Sequence, residues 1–239
     1  MKMLNRKNVI LMISFALLMF ECMTTLTFLD ARSAVSTAES AVGLHYSNYL
    51  FFLGGYIVYA VLGHQLNAGN RKSLFIAFSL LYLLTIAISQ AQTSVTVFFI
   101  TSFLATSFLG FLGSIMYSLM AVNLAGSGFT GRLTAISQSL AMLLQYVAMK
   151  SNHVSLFLIV SGVVSLMLAL YLKQCKEISF EHDSSKALNI GANKSLKKEL
   201  IAAVVLILCL EFISAFNDGF YVRLFASGKI DLYGTIRLV

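Results

Sequence analysis

The sequence predicts an all-α, polytopic membrane protein, and two observations predict this fold class. Hydrophobic residues make up 58% of the 239 residues and charged residues only 11%, against roughly 25% charged residues in an average soluble domain. Long apolar runs separated by short polar breaks also fill most of the chain. A bilayer offers no partners for backbone groups, so such runs must be helices or strands of a closed barrel. Runs without period-two alternation indicate helices.

Seven apolar runs reach or approach the ~20 residues with which a helix crosses a hydrocarbon layer of ~30 Å. In chain order they are residues 9–29, 46–62, 74–89, 95–122, 133–148, 154–172 and 200–222. A basic N-terminus precedes the first run, and a break rich in glycine and asparagine separates the second run from the third. Short polar breaks also separate the third run from the fourth, the fourth from the fifth and the fifth from the sixth. Because these breaks are short, we expect consecutive helices to pack as antiparallel neighbours.

The net charge of +7 is distributed unevenly between the two sides of the predicted membrane. Basic residues lie before the first run and after the second, fourth and sixth: Lys2, Arg6, Lys7, Arg71, Lys72, Arg132, Lys173, Lys176, Lys186, Lys194, Lys197 and Lys198. The other breaks between the runs carry Arg32 and Lys150. Since basic residues favour the cytoplasmic side, we expect a multi-pass protein of the cell membrane with a cytoplasmic N-terminus. The sequence contains no basic stripe with interleaved aromatic residues, which is the pattern that would indicate a nucleic acid partner.

The polarity of the chain divides it into three parts. Residues 1–173 are predicted as a six-helix transmembrane bundle. Residues 174–198 are rich in lysine, acids and serine and are predicted as a cytoplasmic linker. Residues 199–239 are predicted as a seventh transmembrane helix followed by a short outer tail.

Two lone acids, Glu21 and Glu211, lie near the middle of predicted spans. An ionised carboxylate at the bilayer centre costs at least ~2.5 kcal/mol, so it should face a cavity, find a partner or take up a proton. Glu21 shares a helix face with Thr25, four residues later. These acids are interpreted either as cavity-lining groups that bind a polar solute or a coupling proton, or as protonated acids hydrogen-bonded to a neighbouring helix.

Further polar side chains within the spans are candidates for the same site. Tyr56 is deep enough in the second run to offer its hydroxyl to a solute, although tyrosines near helix ends are often interface anchors. Gln138 and Gln145, seven residues apart, form either interhelical hydrogen bonds or part of a pocket lining. The histidines lie in or beside predicted loops, and we expect each to be solvated: His45, His64, His153 and His182.

Small residues recur every four positions along the fourth run, at Ser102, Thr106, Gly110, Ser114 and Ser118. This spacing predicts a close approach of two helix backbones. Glycines at 54, 55, 110 and 113 are expected to supply any flexing of a chain that contains no proline.

The break after the second run has the sequence Gly63-His64-Gln65-Leu66-Asn67-Ala68-Gly69-Asn70-Arg71-Lys72. It resembles the cytoplasmic loop signature of the major facilitator superfamily (MFS) of transporters, which reads Gly, three residues, Asp, a basic residue, any residue, Gly and two basic residues. Gly63, Arg71 and Lys72 match, whereas Asn67 replaces the Asp and Ala68 the first basic residue. The resemblance implies that Gly63, Asn67, Arg71 and Lys72 form a gating loop.

The resemblance also implies two six-helix halves with a solute site near the midplane between them. This chain is therefore expected to be the first half and the seventh helix of a secondary active transporter, driven by an ion gradient and coupled to protons through Glu21. The missing second half or another chain is then an expected partner, besides the solute and the lipid. The alternatives are a membrane scaffold or transporter remnant that moves no solute, and a channel.

No enzyme motif is recognised in the sequence. It contains no His-Glu-x-x-His run and no phosphate-binding glycine-rich loop. Its three cysteines show no metal-ligand spacing. We therefore expect neither catalysis nor a cofactor.

Overall fold

The computed structural model describes residues 5–33, 38–92, 94–124, 129–151 and 153–181. Within these ranges the chain is helical and contains no strand. The helices are α1 (Arg6–Ser33), α2 (Ala38–Leu62), α3 (Ala68–Ala91), α4 (Val95–Leu124), α5 (Thr130–Lys150) and α6 (Val154–Gln174), with a short 3-10 turn at Gly63–Gln65. The all-α prediction is confirmed for this part of the chain, whereas the predicted seventh helix, 200–222, lies outside the described residues.

Four of these helices, α1, α3, α4 and α6, are long and apolar enough to cross a membrane. This confirms the prediction of a helical membrane protein in its general form. The other two, α2 and α5, were predicted to span as well but are not among the four. Both contain strongly polar side chains within their length: His45 and Asn48 in α2, and Gln138 and Gln145 in α5.

Two helices begin well before the apolar runs that predicted them. The helix α2 begins at Ala38 instead of residue 46, and α3 begins at Ala68 instead of residue 74. At the start of α3 the side chain of Asn67 accepts a hydrogen bond from the backbone N–H of Asn70 at 2.8 Å, which caps the helix. A hydropathy pattern does not detect these polar first turns, because backbone hydrogen bonds form a helical turn whether its side chains are polar or apolar.

The helices alternate in direction, as side-chain contacts at the two ends of the bundle show. At the end where α1 begins, here named the Arg6 end, Arg6 donates to the Tyr171 hydroxyl of α6 at 2.6 Å. At the opposite end, here named the Arg32 end, Arg32 donates to backbone carbonyls of Gln90 and Gln92 at the end of α3. It also lies 5.4 Å from the ring centroid of Phe98 at the start of α4.

Consecutive helices are not always the main packing partners. The helix α4 packs most extensively on α2 and α3, α1 on α5, and α3 on α6, whereas α4 with α5 and α5 with α6 touch only slightly. The expectation of packing between all neighbours is therefore correct for α3 with α4 but wrong for these two pairs. Exchanging α1 with α4, α2 with α5 and α3 with α6 maps the most extensive packing pairs onto one another, but it maps the α1–α2 contact onto the slight α4–α5 contact.

The small residues of α4 form the predicted close crossing. A Cβ atom added at Gly110 would overlap the backbone carbonyl of Phe52, and one added at Gly55 would overlap that of Ser107. The α2 and α4 backbones are therefore in direct contact, and larger side chains would force them apart. Two of the four glycines expected to provide flexing thus lie at this contact.

Candidate functional site

Glu21 lies near the middle of α1 and is completely buried. Its Oε1 atom accepts a hydrogen bond of 2.6 Å from the Ser165 hydroxyl of α6. Ser161, one turn earlier on α6, lies beside the same carboxyl. No lysine, arginine or histidine among the described residues forms a salt bridge with it. The carboxyl is therefore held by neutral hydroxyls alone.

A small cavity adjoins this carboxyl. Its volume of about 20 Å³ is enough for one water molecule. Polar side chains from three helices line it, namely Ser14 and Glu21 of α1, Ser79 of α3 and Ser165 of α6, and apolar residues complete the wall: Leu18, Phe75, Leu112, Met116 and Leu168. Glu21 Oε2 and Ser14 Oγ are buried and have no hydrogen-bond partner in the structure. The cavity thus has two polar atoms with unused hydrogen-bonding capacity.

Only part of this cavity was expected from the sequence. Glu21 was predicted, but the serines at 14, 79 and 165 were not selected as site residues. A signal for the α6 contribution was present, because Ser161 and Ser165 are four residues apart within an otherwise apolar span and so share one helix face. No sequence pattern indicates that this face meets α1.

The other predicted site residues that the structure describes do not line the cavity. The Thr25 hydroxyl bonds the buried Tyr82 hydroxyl of α3 at 2.8 Å. Gln145 donates from Nε2 to the Thr27 hydroxyl at 3.2 Å, which is one of the two roles predicted for it.

Gln138 and Tyr56 are also absent from the lining of this cavity. Gln138 is half-buried on α5, and Tyr56 lies at the α2–α4 contact with its ring centroid 6.1 Å from that of Tyr117. Glu211 lies outside the described residues. The predicted residues that the structure describes therefore do not form one cluster around Glu21.

A second buried polar contact, which the sequence analysis missed, joins α1 to α2. His45 Nδ1 lies 2.9 Å from Asp30 Oδ2, and the two side chains are 0% and 1% exposed. Asn48, one turn after His45, is also fully buried. The expectation that His45 is a solvated loop residue is wrong, because α2 begins seven residues before it and directs the imidazole against α1.

The predicted gating loop is organised by Arg71. This side chain is buried and donates from Nε and Nη2 to the Gly63 carbonyl at 3.1 and 2.7 Å, and from Nη1 to the Phe180 carbonyl at 3.0 Å. Lys72 lies 5.4 Å from the ring centroid of Phe180. Asn67, in the place of the expected Asp, caps α3. The Arg71 guanidinium therefore donates its hydrogen bonds to backbone carbonyls. The MFS signature has an Asp in this loop, but here that position is Asn67.

The segment after α6, residues 175–181, is packed against the Arg6 end of the bundle. Ile178 and Phe180 are buried. The Asn123 side chain of α4 forms two hydrogen bonds with the Ser179 backbone, donating to its carbonyl at 2.7 Å and accepting from its N–H at 2.9 Å. The predicted linker, 174–198, thus begins with a docked segment, and its residues 182–198 lie outside the described part of the chain.

No protein-family model, no curated protein and no solved structure matches this chain. The structure itself defines a helical protein in which four described helices are long and apolar enough to cross a membrane. At the middle of the first of these lies an acid with no cationic partner in the described part of the chain. A buried carboxyl of this kind can exchange a proton or hold a small cation.

Proposed function

We propose that this protein is a secondary active transporter that moves a small solute across the cell membrane by alternating access, with proton coupling at Glu21. The observation that carries the proposal is the environment of Glu21. An ionised acid without a cation is costly at the centre of a membrane and is retained where it serves a pathway or a relay. The cavity beside Glu21 admits a species of the size of water, which fits a coupling ion and not the solute.

The pairing of the helices supports the MFS-like part of the proposal. The exchange of α1–α3 with α4–α6 preserves the most extensive packing pairs. Since α1 and α4 run in opposite directions, this exchange is the one that an inverted repeat would produce, the arrangement found within each half of these transporters. The loop at Gly63, Asn67, Arg71 and Lys72 lies at one end of this unit, where we propose that it steadies the inner gate.

The proposal includes the sidedness and the partner of the bundle. Lys7, Arg71, Lys72 and Lys173 lie at the Arg6 end, so we assign that end to the cytoplasm. Alternating access requires a second helical unit against which this one can rock. We propose that a second half or another chain supplies it, and that Glu211 contributes from beyond the six described helices.

The test uses the full 239-residue chain in proteoliposomes that contain a luminal pH dye, with an imposed inward proton gradient. Amino acids, hexoses and small organic cations are added separately outside. We expect one class to acidify the lumen with a rate that saturates with solute concentration, and Glu21→Gln to abolish this. Glu177→Gln is the matched control, because this acid is exposed in the segment after α6 and should leave the rate unchanged.

Each other outcome contradicts a stated part of the proposal. Absence of solute-dependent flux would exclude transport by this chain, or by copies of it, without another protein, and would favour a membrane scaffold as its function. Flux that rises linearly without saturation would indicate a channel. Saturable uptake that keeps its pH dependence in both Glu21→Gln and Glu211→Gln would exclude these acids as proton sites.

A further inference from the structure

The cavity beside Glu21 has a chemical composition that selects its occupant. Its polar lining consists only of oxygen atoms, from one carboxyl and three serine hydroxyls. The Ser79 hydroxyl already donates to the Phe75 carbonyl at 2.8 Å, and the Ser165 hydroxyl donates to Glu21. Because these hydroxyl protons are committed, Ser79 and Ser165 present lone pairs to any further partner.

The charge at the site is also unbalanced. Among the described residues, the titratable side chains near Glu21 are Tyr82 of α3 and Cys22 of α1, and both are neutral in their protonated forms. The parts of α4 and α6 that line the cavity contribute Leu112, Met116, Ser165 and Leu168, none of which carries charge. An ionised Glu21 would therefore have to obtain its counter-charge from the cavity itself.

The size and charge of the site limit that counter-charge to one small ion. About 20 Å³ holds a single water-sized species. Divalent ions such as Mg²⁺ and Ca²⁺ take six to eight oxygen ligands and usually more than one carboxylate, which this site does not provide.

We infer that the cavity bounded by Ser14, Glu21, Ser79 and Ser165 is a binding site for a single monovalent cation of the size of water, either a hydrated proton or Na⁺. Its principal ligands are Glu21 Oε2 and Ser14 Oγ, the two side-chain atoms of its lining that are buried without a hydrogen-bond partner among the described residues. The inference rests on the proposed function, in which this cation is the coupling ion, but its test measures binding and not transport.

The experiment measures thermal unfolding of the purified full chain in detergent by circular dichroism. The first arm compares Na⁺ with choline, which is too large for the cavity, at constant pH and ionic strength. A cation that binds only the folded state raises Tm, by about 5–10 °C at a concentration 100 times its Kd. The second arm lowers the pH in choline, where proton binding should raise Tm because it neutralises the buried carboxylate.

Two variants locate the effect in the cavity. Glu21→Gln keeps the acceptor for Ser165 but removes the charge, and should abolish both responses. Ser14→Ala removes a hydroxyl that bonds nothing else, so the fold should persist while the response weakens by about tenfold in apparent Kd. Ser139→Ala is its control, since this exposed hydroxyl of α5 bonds only the Ala135 carbonyl of its own helix.

The outcomes separate the two ions and the two proposals. A response to Na⁺ alone identifies Na⁺, and a response to pH alone identifies the proton. No response to either, or a response that survives in both Glu21→Gln and Ser14→Ala, overturns the inference. If saturable uptake is observed while both binding arms are negative, the transport proposal stands and only this site is refuted.

Discussion

Two acids of the same helix, Glu21 and Asp30, are both buried but have different partners. Asp30 is paired with the imidazole of His45 on α2, whereas Glu21 is bonded by the neutral Ser165 hydroxyl of α6 and adjoins a cavity. Nine residues along an α-helix correspond to about two and a half turns, so the two acids point to opposite sides of α1. The neighbouring helix on each side therefore determines what each acid does.

We propose that Asp30 has a structural role and Glu21 an ion-binding one. The Asp30 carboxyl already has an imidazole as a hydrogen-bond partner inside the protein, and this contact joins α1 to α2. A carboxyl with neutral partners and a water-sized space beside it has to obtain its compensation from outside. Variants at the two places should therefore affect stability and ion dependence in different proportions.

The largest effect is expected at the Asp30–His45 pair. Substitution His45→Ala leaves the Asp30 carboxyl without its imidazole partner, and breaking a buried pair in this way costs about 3–5 kcal/mol. The measurement is Tm of the purified chain in detergent. His153→Ala is the control, because His153 is exposed before α6 and makes no side-chain cap bond. Equal, small effects of the two variants would show that the pair does not hold α1 to α2.

The second largest effect on stability is expected at the contact between α2 and α4. Substitution Gly55→Ala places a methyl group against the Ser107 carbonyl of α4 and should destabilise the fold by about 1–3 kcal/mol. Gly54→Ala meets nothing within 4 Å and should stabilise α2 slightly, by up to about 1 kcal/mol. Thermal unfolding of both variants tests the α2–α4 contact, and similar losses in the two would contradict it.

A smaller effect is expected on the other side of α1. Substitution Ser165→Ala removes the hydrogen bond to Glu21 Oε1 and should cost about 0.5–1.5 kcal/mol at acidic pH, where the carboxyl is neutral. At higher pH or without Na⁺ the loss of stability should increase, since the ionised Glu21 carboxylate then has to be stabilised without the Ser165 hydroxyl. A loss that is the same under every condition would indicate that the hydroxyl serves packing only.

The smallest effect on stability is expected for Glu21→Gln. The amide keeps an oxygen that accepts from Ser165, so at acidic pH the change in Tm should correspond to a loss of stability below about 0.5 kcal/mol. The cation response should nevertheless be lost. A large destabilisation under these conditions would make Glu21 a structural acid like Asp30 and would remove the contrast between them.

The sequence predicted some features of the molecule from local patterns alone. Long apolar runs predicted helices, because backbone groups must be satisfied internally wherever water is excluded. The four-residue spacing along α4 predicted a close helix contact, and Gly110 provides it. Glu21, the lone acid within its apolar run, predicted a buried functional group, since an ionisable side chain inside a membrane costs free energy and usually serves a function.

Other features could not be derived from local patterns. The burial of His45 depends on the first polar turns of α2, which hydropathy does not register. The docking of residues 175–181 depends on Arg71 and Asn123, whose backbone partners are more than 50 residues away along the chain. No periodicity in the sequence indicates such pairs.

The sequence by itself determined that the chain forms long apolar helices and that one of them buries an acid at its centre, because both follow from the solvation of single segments. Only the tertiary structure decided which helices touch: that α2 packs on α4, that Asp30 meets His45, and that Glu21 meets Ser165 beside a cavity. These depend on distant segments that share no pattern with one another. The partner of each polar side chain, and hence its chemistry, is a property of the assembled bundle.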